Sequence, residues 1–305
     1  MRLLITGGTG FIGTPLCRTL AQHGHELSVL TRRSSPSPPM DRIRFLSLQA
    51  NEWEPVMAEV DGVVNLAGEP IAGKRWTARQ KALMRESRLQ MTRRVVRAID
   101  TSRHRPAVLV SASAIGYYGP RGDEALSEDA PPGRGFLAEL SQAWEAEARA
   151  AERFGVRVVR LRIGIVLGAA GGALAKMVPP FRIFLGGPLG SGRQWMSWIH
   201  LGDLIGLIEW SLTHPELSGA VNATSPHPVT MRELCTALAR ALRRPSWAPV
   251  PGFALRLLLG EMADVLLTGQ RVIPTAAHRS GFTFRFPELA PALDACLPVR
   301  GGRRA

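Results

Sequence analysis

Residues 5–13 read ITGGTGFIG, and the run begins where a short apolar segment, RLLIT (2–6), ends. The glycines fall at Gly7, Gly10 and Gly13, and the chain continues into FIGTPLCRTLAQHG (11–24), a helical pattern stopped by Gly24. A buried strand that passes through a glycine turn into a helix leaves few folds open. A pyrophosphate can approach the bare backbone of such a turn, and the helix N-terminus adds unpaired N–H donors and a favourable dipole. Gly7, Gly10 and Gly13, with Thr9, Phe11 and Ile12 between them, are therefore the first candidate ligand contacts.

Strand-like and helix-like segments then alternate. HELSVLTR (25–32), IRFLSL (43–48), GVVNLAG (62–68), AVLVSASA (107–114) and VRVVRLRIGIVLG (156–168) read as strands. Helical patterns occupy 77–100 and 136–154, and RSSPSPPM (33–40) is too rich in proline and serine for regular structure. Such alternation implies right-handed crossovers and a parallel sheet covered on both faces. The expected fold is a doubly wound α/β nucleotide domain over residues 1–170. A smaller substrate lobe over 171–305 follows, with a distinct segment from about 250 and later stretches free to return to the sheet. Within that lobe, TMRELCTALARAL (230–242) opens with Thr-x-x-Glu, a capping box.

A dinucleotide fold usually carries an acidic residue at the end of its second strand, about 20 residues past the glycine turn, to bind a ribose 2′-hydroxyl. This chain reads VLTRRSS there, with Thr31, Arg32 and Arg33 and no acid. A guanidinium matches a 2′-phosphate in charge and fork geometry, so the expected cofactor is NADP(H) rather than NAD(H). Asn65, Leu66 and Ala67, ending the 62–68 strand, are small or flat enough to let a nucleotide lie against the backbone.

The net charge is +13, but the basic residues are spread along the chain and nearly all are arginine. Lys74, Lys81 and Lys176 are the three lysines. No basic block interleaves with aromatics, so no nucleic-acid partner is expected. No apolar window reaches the ~18 residues of a membrane span, and the N-terminus lacks the long apolar core of a signal peptide. Cys17, Cys235 and Cys296 are odd in number and widely spaced. They suit core packing in a reducing compartment, the cytoplasm being expected, and offer no metal site. The expected partner is a small-molecule substrate, and the sequence assigns no oligomeric state.

Together TGGTGFIG, NLAGEPI, RWT…K…SR (75–88), SASAIGYYG (111–119), WE (144–145), RIGIVLG (162–168), PF…LGGPLGSGRQ…SWIHLGD (180–203) and GEMADVLLTGQRVIP (260–274) resemble the extended short-chain dehydrogenase/reductase superfamily. More narrowly they resemble an atypical epimerase/dehydratase-like family within it that has its own C-terminal segment. The motifs span nearly the whole chain in order. The resemblance implies NADP(H) binding and a cofactor contact from Arg88, but supplies no substrate.

It also exposes a departure. The superfamily uses Tyr-x-x-x-Lys on the helix after the SAS strand, the lysine lowering the tyrosine pKa from ~10. This chain has two tyrosines, Tyr117 and Tyr118, with Arg121 and Gly122 four residues on. By the superfamily spacing, Glu139 and Ala143 stand near the two missing positions. Three readings are open: Ser113 with Tyr117 or Tyr118 transfers the proton; Glu69, Glu139 or Glu145 does; or the protein binds NADP(H) without turnover. His200 and Asp203 read as structural, and Arg193 and Gln194 as candidates at the cleft mouth.

Overall fold

The computed structural model describes residues 1–32, 41–49 and 53–297. Its central sheet has seven parallel strands: β1 (Arg2–Thr6), β2 (Glu26–Thr31), β3 (Ile43–Ser47), β4 (Gly62–Asn65), β5 (Val108–Ala114), β6 (Arg157–Ile163) and β7 (Gly219–Ala223). Their spatial order is β7-β6-β5-β4-β1-β2-β3. The order reverses between β1 and β4, and a doubly wound sheet binds its ligand in the crevice outside the strand ends at that point.

Period-two alternation sends neighbouring residues to opposite faces of the sheet. Leu3, Ile5, Val29, Val64, Val110 and Val159 pack on one face, under α1 (Gly13–Gln22) and α5 (Leu201–Thr213). Leu4, Leu30, Val63, Leu109 and Val158 pack on the other. There α2 (Ala78–Thr101) contributes Met91, Val95 and Ile99, and α3 (Phe136–Arg149) contributes Ala148. α2 starts at Thr77, whose side chain accepts the Gln80 N–H at 3.1 Å, a regular N-cap.

The apolar stretch 156–168 reads as one strand but is broken at Gly164. A side chain there would fall 2.6 Å from the Ser197 carbonyl oxygen. Beyond the break, Ile165–Gly168 leaves the main sheet and pairs with Trp198–His200. This switch carries the chain into the lobe, whose own core gathers Leu174 and Phe181 of α4 (Gly172–Arg182), Trp198, and Leu234 and Leu238 of α6 (Met231–Leu242). α6 carries the full Thr230–Glu233 capping box. α5 and β7 then return to the nucleotide layer, so the sheet draws on both parts of the chain. Asp203 ties the lobe's later segment down by accepting the Arg285 and Phe286 N–H groups at 2.8 and 2.9 Å.

Candidate functional site

The glycine turn sits at the C-terminal end of β1, and its three glycines do different work. Gly7 has φ +70°, and a Cβ on it would lie 2.8–2.9 Å from the Leu66 and Ala67 backbone. A Cβ on Gly13 would meet the Gly7 carbonyl oxygen at 2.1 Å. Both are needed for turn, helix and β4 to approach one another. Gly10 differs: within 4 Å its Cβ would meet only Gly7 O, at 3.3 Å. The turn is therefore open at Gly10, where a phosphate could lie against the backbone. Thr9 is exposed there and Ile12 forms the α1 N-cap. The Phe11 ring packs on Gly168, Gly171 and Gly172, joining the turn to the start of α4.

At the end of β4 the Asn65 side chain is fully buried and committed. It accepts from Thr6 Oγ1 at 2.7 Å and donates to Thr92 Oγ1 and Ser111 Oγ at 2.9 and 3.3 Å. Asn65 thus ties β1, β4, β5 and α2 together, and any ligand contact here falls to the backbone of Leu66, Ala67 and Gly68. Behind Gly68 lies Arg88, buried, with a Cβ on Gly68 reaching to 2.9 Å from its Cζ. Its Nη1 donates to the Glu69 and Met84 carbonyls, while its Nε has no acceptor. Burial pushes the Arg88 pKa down to about 10, opposed by Glu69. A buried guanidinium with no bonded carboxylate, beside the nucleotide crevice, fits a site that receives an anionic cofactor.

At the end of β2, Thr31 is buried and Arg32 exposed; Arg33 lies outside the described residues. Arg32 faces Glu69 electrostatically. Hydrogen bonding to Lys74 first, then Gln80 and the charges of Lys74 and Arg32, hold the Glu69 carboxyl below the usual range.

Beyond β5 the chain forms a tight turn, Ile115–Tyr118, and the two tyrosines diverge. Tyr118 is fully buried. Its hydroxyl donates to Asn222 Oδ1 at 2.6 Å and accepts from Arg162 Nη1 at 2.9 Å. Burial pushes its pKa up to about 12. Arg162 in turn holds Glu145 through Nε–Oε1 at 2.8 Å and Nη2–Oε2 at 3.1 Å. Burial opposes the Arg162 charge, but the bonds to Glu145 keep its pKa above the ordinary value. Glu145 also accepts from Ser113 Oγ at 2.8 Å and from Arg160 Nη1 at 3.2 Å. Ser113, Glu145, Arg162, Tyr118 and Asn222 thus form one buried chain of hydrogen bonds.

That chain sorts the candidates. Glu145 is spent on two arginines and a serine and is not poised to carry protons. Ser113 is 3% exposed, its proton directed at Glu145. Tyr117 is half-buried, its ring face 3.5 Å from the Arg162 Cζ, and its hydroxyl has no hydrogen-bond partner among the described residues. Glu139 is exposed in the first turn of α3.

Arg162 and Asn222 escaped the sequence reading. The available signal was arginine at 160 and 162 inside an apolar strand, since buried charge demands a partner. Lys176 escaped too. Alone among the three lysines it has no ion pair among the described residues, and a Cβ on Gly73 would lie 3.5 Å from its Nζ. It stands where α4 of the lobe faces the 68–77 loop of the nucleotide layer. The nucleotide layer and the later segment are also bridged by Arg75 Nη2 donating to Leu257 O and by the Lys81–Glu261 ion pair. Gln194 is structural: its Nε2 donates to the Leu189 and Leu266 carbonyls, whereas Arg193 is exposed. The three cysteines are buried and unpaired, and no three His, Cys, Asp or Glu among the described residues converge as metal ligands.

Comparison with known proteins gives one consistent picture. A sequence profile of the NAD dependent epimerase/dehydratase family matches residues 3–223, and one of a domain of unknown function (DUF1731) matches 250–296. The chain is 45% identical over 303 residues to the epimerase family protein SDR39U1 homolog, chloroplastic, of Arabidopsis thaliana, covering 97% of this chain and 87% of that one. It is 38% identical to the epimerase family protein YfhF of Bacillus subtilis, covering 98% and 99%. Among solved structures, human epimerase family protein SDR39U1 (isoform 2) with NADPH superposes with a TM-score of 0.87 at 35% identity, covering 97% and 99%.

Proposed function

Because this chain belongs to the NAD dependent epimerase/dehydratase family, we propose that it is an NADP(H)-dependent oxidoreductase or epimerase-like enzyme acting on a small molecule. The observation that carries this reading is the turn left open at Gly10 with Arg32, rather than an acid, at the end of β2. The human relative solved with NADPH supports the choice of cofactor. Gly10 and the N-terminus of α1 would hold the pyrophosphate, Arg32 the 2′-phosphate, and the backbone of Leu66–Gly68 the adenosine side. Arg88 would supply positive charge from beneath.

NADPH, when bound, would supply hydride chemistry at a carbonyl carbon, and the protein's own task is a proton for the oxygen. Of Ser113, Tyr117 and Tyr118, Tyr117 is the one whose hydroxyl has no hydrogen-bond partner among the described residues. We assign the proton to it, with Ser113 and Tyr118 as the groups that fix the turn on which it stands.

A second reading, a catalytically silent NADP(H)-binding protein, draws support from one observation. Ser113 is bonded to Glu145, and Arg162 joins Glu145 to Tyr118, which leaves little free chemistry. A panel of carbonyl substrates with NADPH, run on wild type, Tyr117→Phe, Tyr118→Phe and Ser113→Ala, separates the readings. Turnover lost in Tyr117→Phe and kept in Tyr118→Phe supports the enzyme as described. Turnover unaffected by Tyr117→Phe moves the proton elsewhere, Glu139 first. No turnover together with tight NADPH binding favours the silent protein. The buried free thiols support a reducing compartment, and the chloroplast relative gives the cytoplasm no privilege among such compartments.

A further inference from the structure

At the edge of the sheet opposite to β3, β6 and β7 lie side by side with Arg160 registered against Ala220 and Arg162 against Asn222. Ala220 offers only a methyl next to the Arg160 side chain. The space is closed on one side by the last turn of α3 and on the other by the short helix Thr275–Arg279. The result is a cavity of about 450 Å³ lined by Arg149, Arg160, Arg162 and Arg279, by Glu128 and Asp129, and by Ser218. None of its lining residues comes from the glycine turn, β2 or the 65–69 segment, so it is separate from the nucleotide crevice.

The charges in this cavity are poorly matched. Arg162 is spent on Glu145 and Tyr118. Arg160 gives only Nη1 to Glu145, at 3.2 Å, and its buried Nε has no acceptor among the described residues. The exposed side chains of Arg149 and Arg279 have no hydrogen bond or ion pair among the described residues. The acids do not compensate them. Glu128 Oε1 is taken by the N–H groups of Asn222 and Ala276, and the exposed Asp129 has no cation within ion-pair distance among the described residues. Burial, and after it the charges of Arg149 and Arg162, hold the Arg160 pKa below its ordinary value despite Glu145.

Guanidiniums crowded around a water-sized or larger hollow, with donors unused, form the arrangement that binds tetrahedral oxyanions by paired charge-assisted hydrogen bonds. We propose that this cavity is a second ligand site, for the phosphate group of a small molecule, held by Arg149, Arg160 and Arg279 with Ser218 at the mouth. Glu145 joins its floor to Ser113 at the end of β5, so a ligand here sits one carboxylate away from the candidate active site.

The test uses the full-length protein saturated with NADPH, which fills the phosphate-binding turn at Gly10. Potassium phosphate and glycerol 3-phosphate are titrated separately against potassium chloride of matched ionic strength, with melting temperature as the readout. Wild type should show a saturable rise with a half-point at roughly millimolar concentration or below. Arg149→Ser/Arg279→Ser should shift that half-point at least tenfold upward while NADPH affinity stays at wild-type level. Ala220→Leu, which fills the hollow and leaves every arginine in place, should do the same and serves if the double variant does not fold. A response to inorganic phosphate equal to that of the ester assigns the site to free phosphate; a stronger response to the ester assigns it to a phosphorylated metabolite. A rise matched by chloride, or one that persists in Ala220→Leu and the arginine variant alike, overturns the proposal.

Discussion

Ser113 Oγ donates a 2.8 Å hydrogen bond to Glu145 Oε1, the same oxygen that accepts Arg162 Nε at 2.8 Å. Glu145 is therefore the hinge between β5, where the proton chemistry is expected, and β6, which supplies the buried positive charge. Removing it would leave Arg162 buried without a counter-charge, a change that costs about 3–5 kcal/mol when one partner of such a pair is deleted. Glu145→Ala should lower the unfolding free energy by about that amount in urea denaturation. A loss under ~1 kcal/mol would show that solvent reaches the pair and that the chain of bonds does not hold the turn.

Tyr118 is expected to behave as a structural phenol. Its folded pKa, about 12, is above the ~10 of a free tyrosine because burial disfavours the phenolate. The folded state thus favours the protonated form. The stability this contributes is complete below about pH 10 and is lost as pH rises from there through 12. In the Tyr117→Phe variant Tyr118 is the only tyrosine left, so near-ultraviolet phenolate absorbance reports it alone. Titration with a midpoint at or below 10 would contradict its buried, bonded position.

The glycines of the turn should separate binding from folding. Gly10→Val places a Cβ that meets only the Gly7 carbonyl oxygen, at 3.3 Å, and should abolish NADPH binding while leaving the circular dichroism of the fold in place. Gly13→Val puts a Cβ 2.1 Å from a backbone oxygen and should prevent folding or strongly destabilise it. Gly10→Val with unaltered NADPH affinity would remove this turn as the site.

Cofactor choice should rest on Arg32. A charge-assisted contact contributes about 1.5–3 kcal/mol, so NADPH should bind at least about tenfold more tightly than NADH. Arg32→Asp should reverse the order in fluorescence titrations. Equal affinities in wild type would place the 2′-phosphate away from this residue.

The glycine series, the alternation of strands and helices and the missing Tyr-x-x-x-Lys are all local features. The sequence by itself determined them because each depends on residues within a few positions of one another. A strand entering a glycine turn and a helix can be read from spacing alone, and so can the lack of an acid after β2. Element ends moved by only a residue or two where caps or glycines decide them, as at Thr77 and Gly24.

What only the tertiary structure decided are the partners. Tyr117 and Tyr118 are adjacent and alike in the chain, yet one hydroxyl has no partner among the described residues and the other is locked to Asn222, 104 positions away. Arginines 160 and 162 look like interruptions of an apolar strand until α3 brings Glu145 over them. The break at Gly164 has its cause in the Ser197 carbonyl oxygen, which belongs to another segment. Buried charges and hydroxyls take their roles from whatever the sheet register and helix packing place within about 3 Å, and the low dielectric there makes each such pairing decisive. That information lies in the packing of distant segments, and no local pattern of residues carries it.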